Sequence, residues 1–497
     1  MPTEKSLLRG LSVFRGGWTL EAAEAICVSA TSSGQILDVL GSLVDKSLVE
    51  VTSTGPQNRY RLLETVRQYS QSHLQAEGED ETARQSHTHY FLRLAETSEA
   101  GLRGPDQAEC VDRIEAEHDN IRTALSWTLD TGRRDEALKL VAAMGWFWFM
   151  RGYWKEALRW FSRAYLPAEG ADPLLRAWAV CKTAAIEVYR AAPSKVADLV
   201  AEARETFDRS RDEFGFALAT LLFAHVSAID APEEDERLCR SALRSFEELG
   251  AEWETAFTVG QLGGALAWSD NEDEGLALIR QGIEGLLALG DRWCASWIAF
   301  NLGATLAAKG RIEESRGVLE QAIDLAAGTG DRWAGPHTKG RLAIVSTMEG
   351  RPEEAKKLFA EALSLHDRIG DENCSSLCRM YLADVHLAEG DFEEAARRAR
   401  EALIGYQSTE NPAAVLSCVR RFGFISLEEG QHDRAATLLS ATEAIRGDRP
   451  LTAFDQERLT AASDRLRGAL GEVEYERHTA AGANLELEET VSLALER

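Results

Sequence analysis

Three arginines and a tyrosine are the side chains best suited to chemistry with a ligand: Arg341, Tyr381, Arg420 and Arg421. Guanidinium groups make paired, charge-assisted hydrogen bonds to carboxylates. Such a set reads as a receptor for an acidic or peptide ligand or, equally, as partners for neighbouring acids of the same chain. Other candidates carry less. Cys374 and Cys378 stand four residues apart on one predicted helix with His386 two turns further on, three residue types that ligate metals. Yet Cys378 and Cys418 are 40 residues apart, and Cys294 and Cys374 are 80 apart. This recurrence marks equivalent packing positions, where a reduced cysteine serves as a small buried hydrophobe. No metal and no cofactor are expected. His87 and His89, two apart, fall on different faces of a helix. No serine has a nucleophile-elbow context, no His-Glu-x-x-His occurs and no phosphate-binding Gly-x-x-x-x-Gly-Lys-Ser/Thr loop is present. The segment GSLVDKS at 41–47 fails as such a loop because Asp45 stands where the glycine is required. The sequence therefore offers no catalytic residue and predicts no enzyme; a metal found on purification would be the sign of a hidden one.

Composition narrows the partners. A formal charge of −26 and a pI near 4.9 weigh against a large nucleic-acid or anionic-membrane footprint, which relies on clustered Lys and Arg. No stretch approaches the roughly 18 apolar residues that span a bilayer, and MPTEKSLLRG lacks a signal-peptide hydrophobic run. A cytoplasmic protein with no membrane partner is expected.

The elements that must position these residues follow a lattice. Gly250, Gly290, Gly330 and Gly370 are 40 apart, and Trp253, Trp293 and Trp333 keep the same step. A second series, Asp230, Asp270, Gly310, Gly350, Gly390 and Gly430, runs half a period out of phase. Two breakers per period make each unit a helix hairpin, and stacked hairpins make a solenoid that presents a long curved surface. Aligned on the lattice, Leu262-Gly263, Leu302-Gly303, Leu342-Ala343, Leu382-Ala383 and Phe422-Gly423 share one column of the first helix. The second helix supplies Gly275, Ser315, Ala355, Ala395 and Ala435, then Ile279, Leu319, Phe359, Ala399 and Leu439, then Gly282, Ala322, Ala362, Ala402 and Thr442. Small residues let helices approach and larger ones fill the space between.

This pattern resembles the tetratricopeptide repeat, well matched from Trp253 to Ala444 and best in GRPEEAKKLFAEAL at 350–363 and GDFEEAARRAREAL at 390–403. The departure is the period, 40 rather than about 34. About eight hairpins are predicted between Asp135 and Arg446, with Pro173 and Pro193 opening helices and the register slipping by about a residue near 193–232. The aromatic run Trp146-Phe147-Trp148-Phe149 with Tyr153-Trp154 is expected to close the core where a linker meets the first hairpin.

Residues 4–75 leave the lattice. They read as helix 4–14, a Gly16-Gly17 turn, helices 19–27 and 33–46, strand 48–51, a Thr54-Gly55-Pro56 turn, strand 59–62 and a helix through Leu74: a winged helix. The segments LSVFRGGWTLEAAEAI at 11–26, LVDKSLV at 43–49, RYRLLETVRQYS at 59–70 and RIEAEHDNIRTALSW at 113–127 resemble the winged-helix and linker region of bacterial STAND transcriptional regulators of the AfsR and MalT sort. Those regulators place an NTPase module before the winged helix. Here the chain opens where that module would hand over, so a split or shortened regulator, or an arm whose NTPase is a separate chain, is expected. In the resembling family the winged helix packs against the NTPase. Residues 1–75 carry seven basic residues (Lys5, Arg9, Arg15, Lys46, Arg59, Arg61, Arg67) and seven acids (Glu4, Glu21, Glu24, Asp38, Asp45, Glu50, Glu64), net zero, which disfavours direct DNA contact.

The expectation is thus a mainly α chain: a winged helix over 1–78, a helical linker over 79–131, a tetratricopeptide-like α-solenoid over 132–447 and capping helices over 448–497. Its inner face would carry two columns, Gln261, Asn301, Arg341, Tyr381 and Arg421, and Phe257, Trp297, His337 and Leu377, with Arg420 adjoining. The function implied is regulatory: the superhelix binds a protein, peptide or small inducer and signals to a partner such as a separate NTPase or transcription component. The alternative is a DNA-binding regulator acting through residues 33–62.

Overall fold

The computed structural model describes residues 2–27, 33–53, 58–165, 170–188, 193–227, 232–269, 271–447 and 449–496. Two compact units divide the chain. The first comprises residues up to Trp148 together with Glu156–Thr183; the second comprises Phe149–Lys155 and everything from Ala184 onward.

The first unit opens with α1 (Pro2–Leu11), β1 (Trp18–Thr19), α2 (Leu20–Ile26), α3 (Ser33–Asp45), β2 (Val49–Ser53), β3 (Asn58–Leu62) and α4 (Glu64–Ala76). The strands order β1-β3-β2, all antiparallel, with Tyr60 of β3 opposite both Trp18 and Val51. β1 was absent from the sequence expectation because two residues are too short to show alternation. The expected turn at 54–56 lies outside the described residues. Thr19 caps α2 by accepting from the Ala22 N–H. Leu7, Leu11, Phe14, Trp18, Ile36, Leu40 and Leu43 are buried and form the core of the winged helix. Then follow α5 (Asp80–Gly101), α6 (Gln107–Asp130), α7 (Arg134–Arg151), α8 (Trp154–Tyr165) and α9 (Pro173–Val188).

In the second unit stand α10 (Pro193–Ser210), α11 (Glu213–Ser227), α12 (Pro232–Glu248), α13 (Glu252–Leu266), α14 (Glu272–Ala288), α15 (Arg292–Ala308), α16 (Ile312–Ala326), α17 (Ala334–Met348), α18 (Pro352–Ile369), α19 (Glu372–Ala388), α20 (Phe392–Ser408), α21 (Pro412–Glu428) and α22 (His432–Arg446). α7 to α22 supply the two helices per period that eight hairpins require. The lattice has a backbone cause. Each lattice glycine adopts a left-handed conformation, and all but Gly330 stand just past a helix end, as at Gly290 (φ 80°), where Gly290 N–H donates to Leu287 O and Asp291 N–H to Leu286 O. Where the lattice lacks glycine the geometry persists: Glu410 (φ 53°) stands 40 after Gly370, and Arg211 (φ 56°) marks the one-residue slip. Asp230 and Asp270 lie outside the described residues.

The packing columns meet as their sizes demand. A Cβ on Gly263 would approach Gly275 O and Ile279 N at 2.6 Å, one on Gly303 would strike Leu319 and one on Gly423 would strike Leu439. The Leu-Gly pair of each first helix therefore seats the large residue of its own second helix. Ser315 donates its hydroxyl to Gly303 O at 2.6 Å across the same contact.

α23 (Ala453–Leu470), α24 (Glu472–Ala483) and α25 (Leu487–Leu495) close the chain. α24 lies against α22 so closely that a Cβ on Gly482 would sit 2.2 Å from Thr437 O, while Val491 and Ala494 of α25 join the core of the last hairpins.

Candidate functional site

The inner-face residues meet different fates along the solenoid. Phe257 of α13 is half-buried and stacks on Trp253 at 5.2 Å. Gln261, also half-buried, lies 3.3 Å from the His225 ring. Asn301 of α15 is half-buried too. Arg341 of α17 holds its guanidinium over the Phe300 ring at 5.6 Å, and among the described residues no carboxylate is within ion-pair reach of it.

Trp297 and His337 are not open to a groove. Trp293, Trp297 and Trp333 gather with Phe149 and Trp154, with ring centroids 4.8 Å (Phe149–Trp297), 4.9 Å (Phe149–Trp333) and 5.5 Å (Trp154–Trp333) apart. Backbone bonds fix this contact: Arg332 N–H donates to Met150 O at 3.1 Å, and Arg151 donates to Gly330 O at 2.7 Å. The turn Phe149–Lys155 thus belongs to this unit and covers its aromatic face. The aromatic run divides: Phe147 and Trp148 meet His118 of α6, in the linker as expected, whereas Phe149 and Trp154 depart from that expectation and pack against residues more than a hundred positions away. His337 stacks on Trp333 at 4.6 Å, and burial holds its imidazole well below the usual range, so it is neutral.

The two C-terminal arginines also need correcting as open ligand contacts. Arg420 and Arg421 are 2% and 0% exposed. Arg421 donates to Asp384 at 3.1 Å and to Asp455 at 2.9 Å; Arg420 reaches Asp455 at 3.3 Å. Asp455 comes from α23, and Arg458 of the same helix pairs with Asp384 at 2.6 Å. Tyr381, 6% exposed, lies 5.3 Å beneath the Arg421 guanidinium and 6.5 Å from Phe454. Burial would raise the Asp455 pKa, but Arg421 and Arg420 outweigh it and hold the carboxyl below its usual range. α23 thus seals this end of the inner face. Lattice spacing carries no sign of it, because α23 lies outside the repeat.

In the first unit, Arg9 pairs with Glu79, Lys46 with Glu4, Arg59 with Glu117, Arg61 with Glu50, and Arg67 and Arg15 with Glu64. Of the seven basic residues counted in the sequence, Lys5 is left without such a partner among the described residues. An open cleft of about 690 Å³ there is lined by Phe14, Trp18, Arg15, Arg61, Arg67 and Arg122, and each of these arginines lies within ion-pair reach of an acid of the same unit, Arg15 and Arg67 sharing Glu64.

The sequence trio Cys374, Cys378 and His386 does not assemble. His386 faces Glu389 and Glu394 at 3.7 and 4.0 Å. Cys374 instead joins His337, His366 and Asp371, whose ligand atoms all lie within 4.8 Å of one another. Among the described residues all eight cysteines are free thiols, and burial pushes Cys27, Cys378 and Cys418 up to about 12, as expected of small core residues.

These features define the class: a winged-helix module followed by a tetratricopeptide superhelix. Residues 2–75 match the winged helix-turn-helix domain, and residues 337–408 match the tetratricopeptide repeat. The chain thus carries a winged helix-turn-helix domain and a tetratricopeptide repeat. A Mycobacterium tuberculosis protein named as an HTH-type transcriptional regulator is 35% identical over 220 residues, covering 42% of this chain and 24% of that protein. The chain thus spans about a quarter of the length of the curated relatives it matches. Among solved structures, a Rap protein complexed with competence and sporulation factor aligns at a TM-score of 0.52 and 13% identity, over 76% of this chain and 99% of that one. A signal transduction ATPase with numerous domains and a tetratricopeptide repeat sensor, from Pyrococcus horikoshii, aligns at 0.48 and 17% identity, over 97% and 65%. No helix among the described residues is long and apolar enough to cross a membrane.

Proposed function

We propose that this chain is a non-enzymatic regulatory arm whose superhelix binds an acidic protein segment, peptide or small inducer on its inner face and signals to a separate partner. The observation that carries the reading is Arg341: a half-buried guanidinium on the inner face, over an aromatic ring, with no carboxylate of its own. Holding a cation unpaired there costs stability unless a ligand supplies the anion, and a bidentate carboxylate is its natural complement. Gln261 and Asn301 add amide donors and acceptors on preceding helices, the composition of a peptide-reading surface. The Rap fold, seen complexed with competence and sporulation factor, offers a precedent for a ligand on such a scaffold. The ion pairs that occupy the winged-helix basic residues favour a protein contact there over DNA.

The test is a screen of a short acidic peptide library against the full chain and its Arg341→Ala variant. Peptides bound by the wild type and weakened at least tenfold in the variant support the reading. A bound set indifferent to Arg341, or tight salt-dependent binding of duplex DNA with no peptide retained, overturns it.

A further inference from the structure

His337, His366, Asp371 and Cys374 come from three helices and converge on one point. His337 is on α17, His366 in the last turn of α18, Asp371 at the N-cap of α19 and Cys374 in its first turn. His366 and Asp371 are 1% and 0% exposed. The connecting turn is rigid: His366 O accepts from Gly370 N–H at 2.8 Å and from Asp371 N–H at 2.9 Å, and Asp371 Oδ1 accepts from Cys374 N–H at 2.9 Å. Three of the four donors are therefore held by one turn.

The lattice supplies an internal control. The same turn occurs 80 residues earlier, where Asp291 N–H donates to Leu286 O and Asp291 Oδ1 accepts from Cys294 N–H at 2.8 Å. There the second carboxylate oxygen is satisfied, because Trp253 Nε1 donates to Asp291 Oδ2 at 2.7 Å; one repeat on, Trp293 likewise donates to Asp331. At Asp371 the pattern breaks. There Asp371 Oδ2 faces a buried imidazole, with His366 Nδ1 3.3 Å away and no well-formed hydrogen bond at either atom. The lattice positions of His366 are Phe246, Leu286, Ala326, Tyr406 and Arg446, and those of His337 are Phe257, Trp297, Leu377 and Ser417. In the repeats before this one both places hold apolar or aromatic side chains, and only this repeat sets imidazoles there, against a buried carboxylate and a thiol. Packing does not account for that exchange, since a buried imidazole and carboxylate whose facing atoms form no well-aligned hydrogen bond cost more than the apolar side chains of the preceding repeats.

We infer that this cluster is a binding site for a single tetrahedral divalent cation of the zinc type, clipping the α17–α18 hairpin to α19. Two imidazoles, one carboxylate and one thiolate complete a closed four-coordinate set, and the two anionic donors balance the cation's charge. Zinc–nitrogen bonds of about 2.0–2.1 Å and a zinc–sulfur bond of about 2.3 Å put donors roughly 3.3–3.8 Å apart, so the cluster contracts by about 1 Å on binding. The clip fixes the angle between successive repeats, and with it the inner face beside Arg341. This inference stands independently of the ligand reading.

The experiment is titration of the metal-stripped full chain with Co²⁺, followed by Zn²⁺ displacement and thermal melting. One equivalent of Co²⁺ is expected, with tetrahedral visible absorption and a thiolate-to-cobalt charge-transfer band, both abolished by one equivalent of Zn²⁺, and Zn²⁺ raises the melting temperature. His337→Phe, His366→Leu and Cys374→Ala install residues the lattice already uses at Phe257, Leu286 and Ala334. They should keep the helical signal and a cooperative melt while losing at least a hundredfold in affinity. Should a histidine variant fail to fold, Cys374→Ala decides alone through the charge-transfer band. No cobalt spectrum and no zinc-dependent melting shift in the wild type overturn the inference, as does an undiminished band in Cys374→Ala.

Discussion

Two adjoining stretches of one inner face are built on the same lattice and end differently. Across α13, α15 and α17 the inward polar column, Gln261, Asn301 and Arg341, stays half-buried, and its arginine has no acid. Across α19 and α21 the same column continues as Tyr381 and Arg421, yet there it is sealed by α23 and fully neutralised by Asp384 and Asp455. Periodicity decides which way a side chain points; what lies over it comes from segments outside the repeat. An arginine in this column is structural where the chain brings its own carboxylate and available where it does not.

The sharpest way to break this contrast is at the sealed end. Arg421→Ala leaves buried Asp384 with Arg458 alone and buried Asp455 with Arg420 alone and should cost up to about 3–5 kcal/mol in urea unfolding, whereas replacing Arg420, Arg421, Asp384 and Asp455 together by apolar residues of similar size should recover most of that loss. Arg341→Ala, in the open stretch, should change stability by no more than about 0.5 kcal/mol. Equal costs at the two arginines would erase the distinction. Next comes the packing beneath both stretches. Gly275→Ala would place a Cβ 2.4 Å from Ala267 N and should cost about 1–3 kcal/mol, while Gly317→Ala, with open space around it, should stabilise by about 0.5–1 kcal/mol.

A pair of aspartates, Asp455 buried and Asp235 half-buried, sharpens the comparison through pH. Asp455 has its arginines; Asp235 of α12 has among the described residues only a weak contact from Cys239 at 3.5 Å, and burial pushes its carboxyl up to about 6. A raised folded-state value means the native protein holds the proton more tightly than the unfolded chain, so the penalty grows as pH rises from about 4 to about 6 and is complete above it. Asp235→Asn should therefore stabilise by about 1–2 kcal/mol at pH 7, after allowance for partial solvent exposure, and by nearly nothing at pH 4. Asp455 has the opposite sign: its lowered value contributes stability that is lost as pH falls through the acid range. Melting curves of Asp235→Asn across pH 4–7 check the first. A stabilisation independent of pH would show that charge is not its cause.

Much of the fold was legible because it is repetitive. Glycine spacing reported left-handed helix ends, and the Leu-Gly pairs reported close helix crossings, so hairpins and period could be read directly. The winged helix was readable from its wording and its alternation, apart from the two-residue β1. The site was harder. That Phe149 and Trp154 would cover Trp297 and Trp333 follows from tertiary docking of a turn far away in sequence, and the eighteen-residue α23 carries no lattice mark that would send it towards Tyr381 and Arg421. The pairing of His366 with Asp371 and Cys374 was hidden for a related reason. An i, i+4 search on one helix finds Cys374, Cys378 and His386, whereas the assembled cluster draws its donors from three. Comparison of lattice positions would have found it, since the two histidines interrupt columns that are apolar or aromatic in every preceding repeat.

The most direct test of the central claim is calorimetric titration of the full chain and of Arg341→Ala with the tightest acidic peptide from the library screen. The account predicts one binding site per chain, at least tenfold weakened by Arg341→Ala, restored in part by Arg341→Lys and unmoved by Lys5→Ala in the winged helix. Identical affinity in the wild type and Arg341→Ala would contradict it and leave the inner face without its receptor.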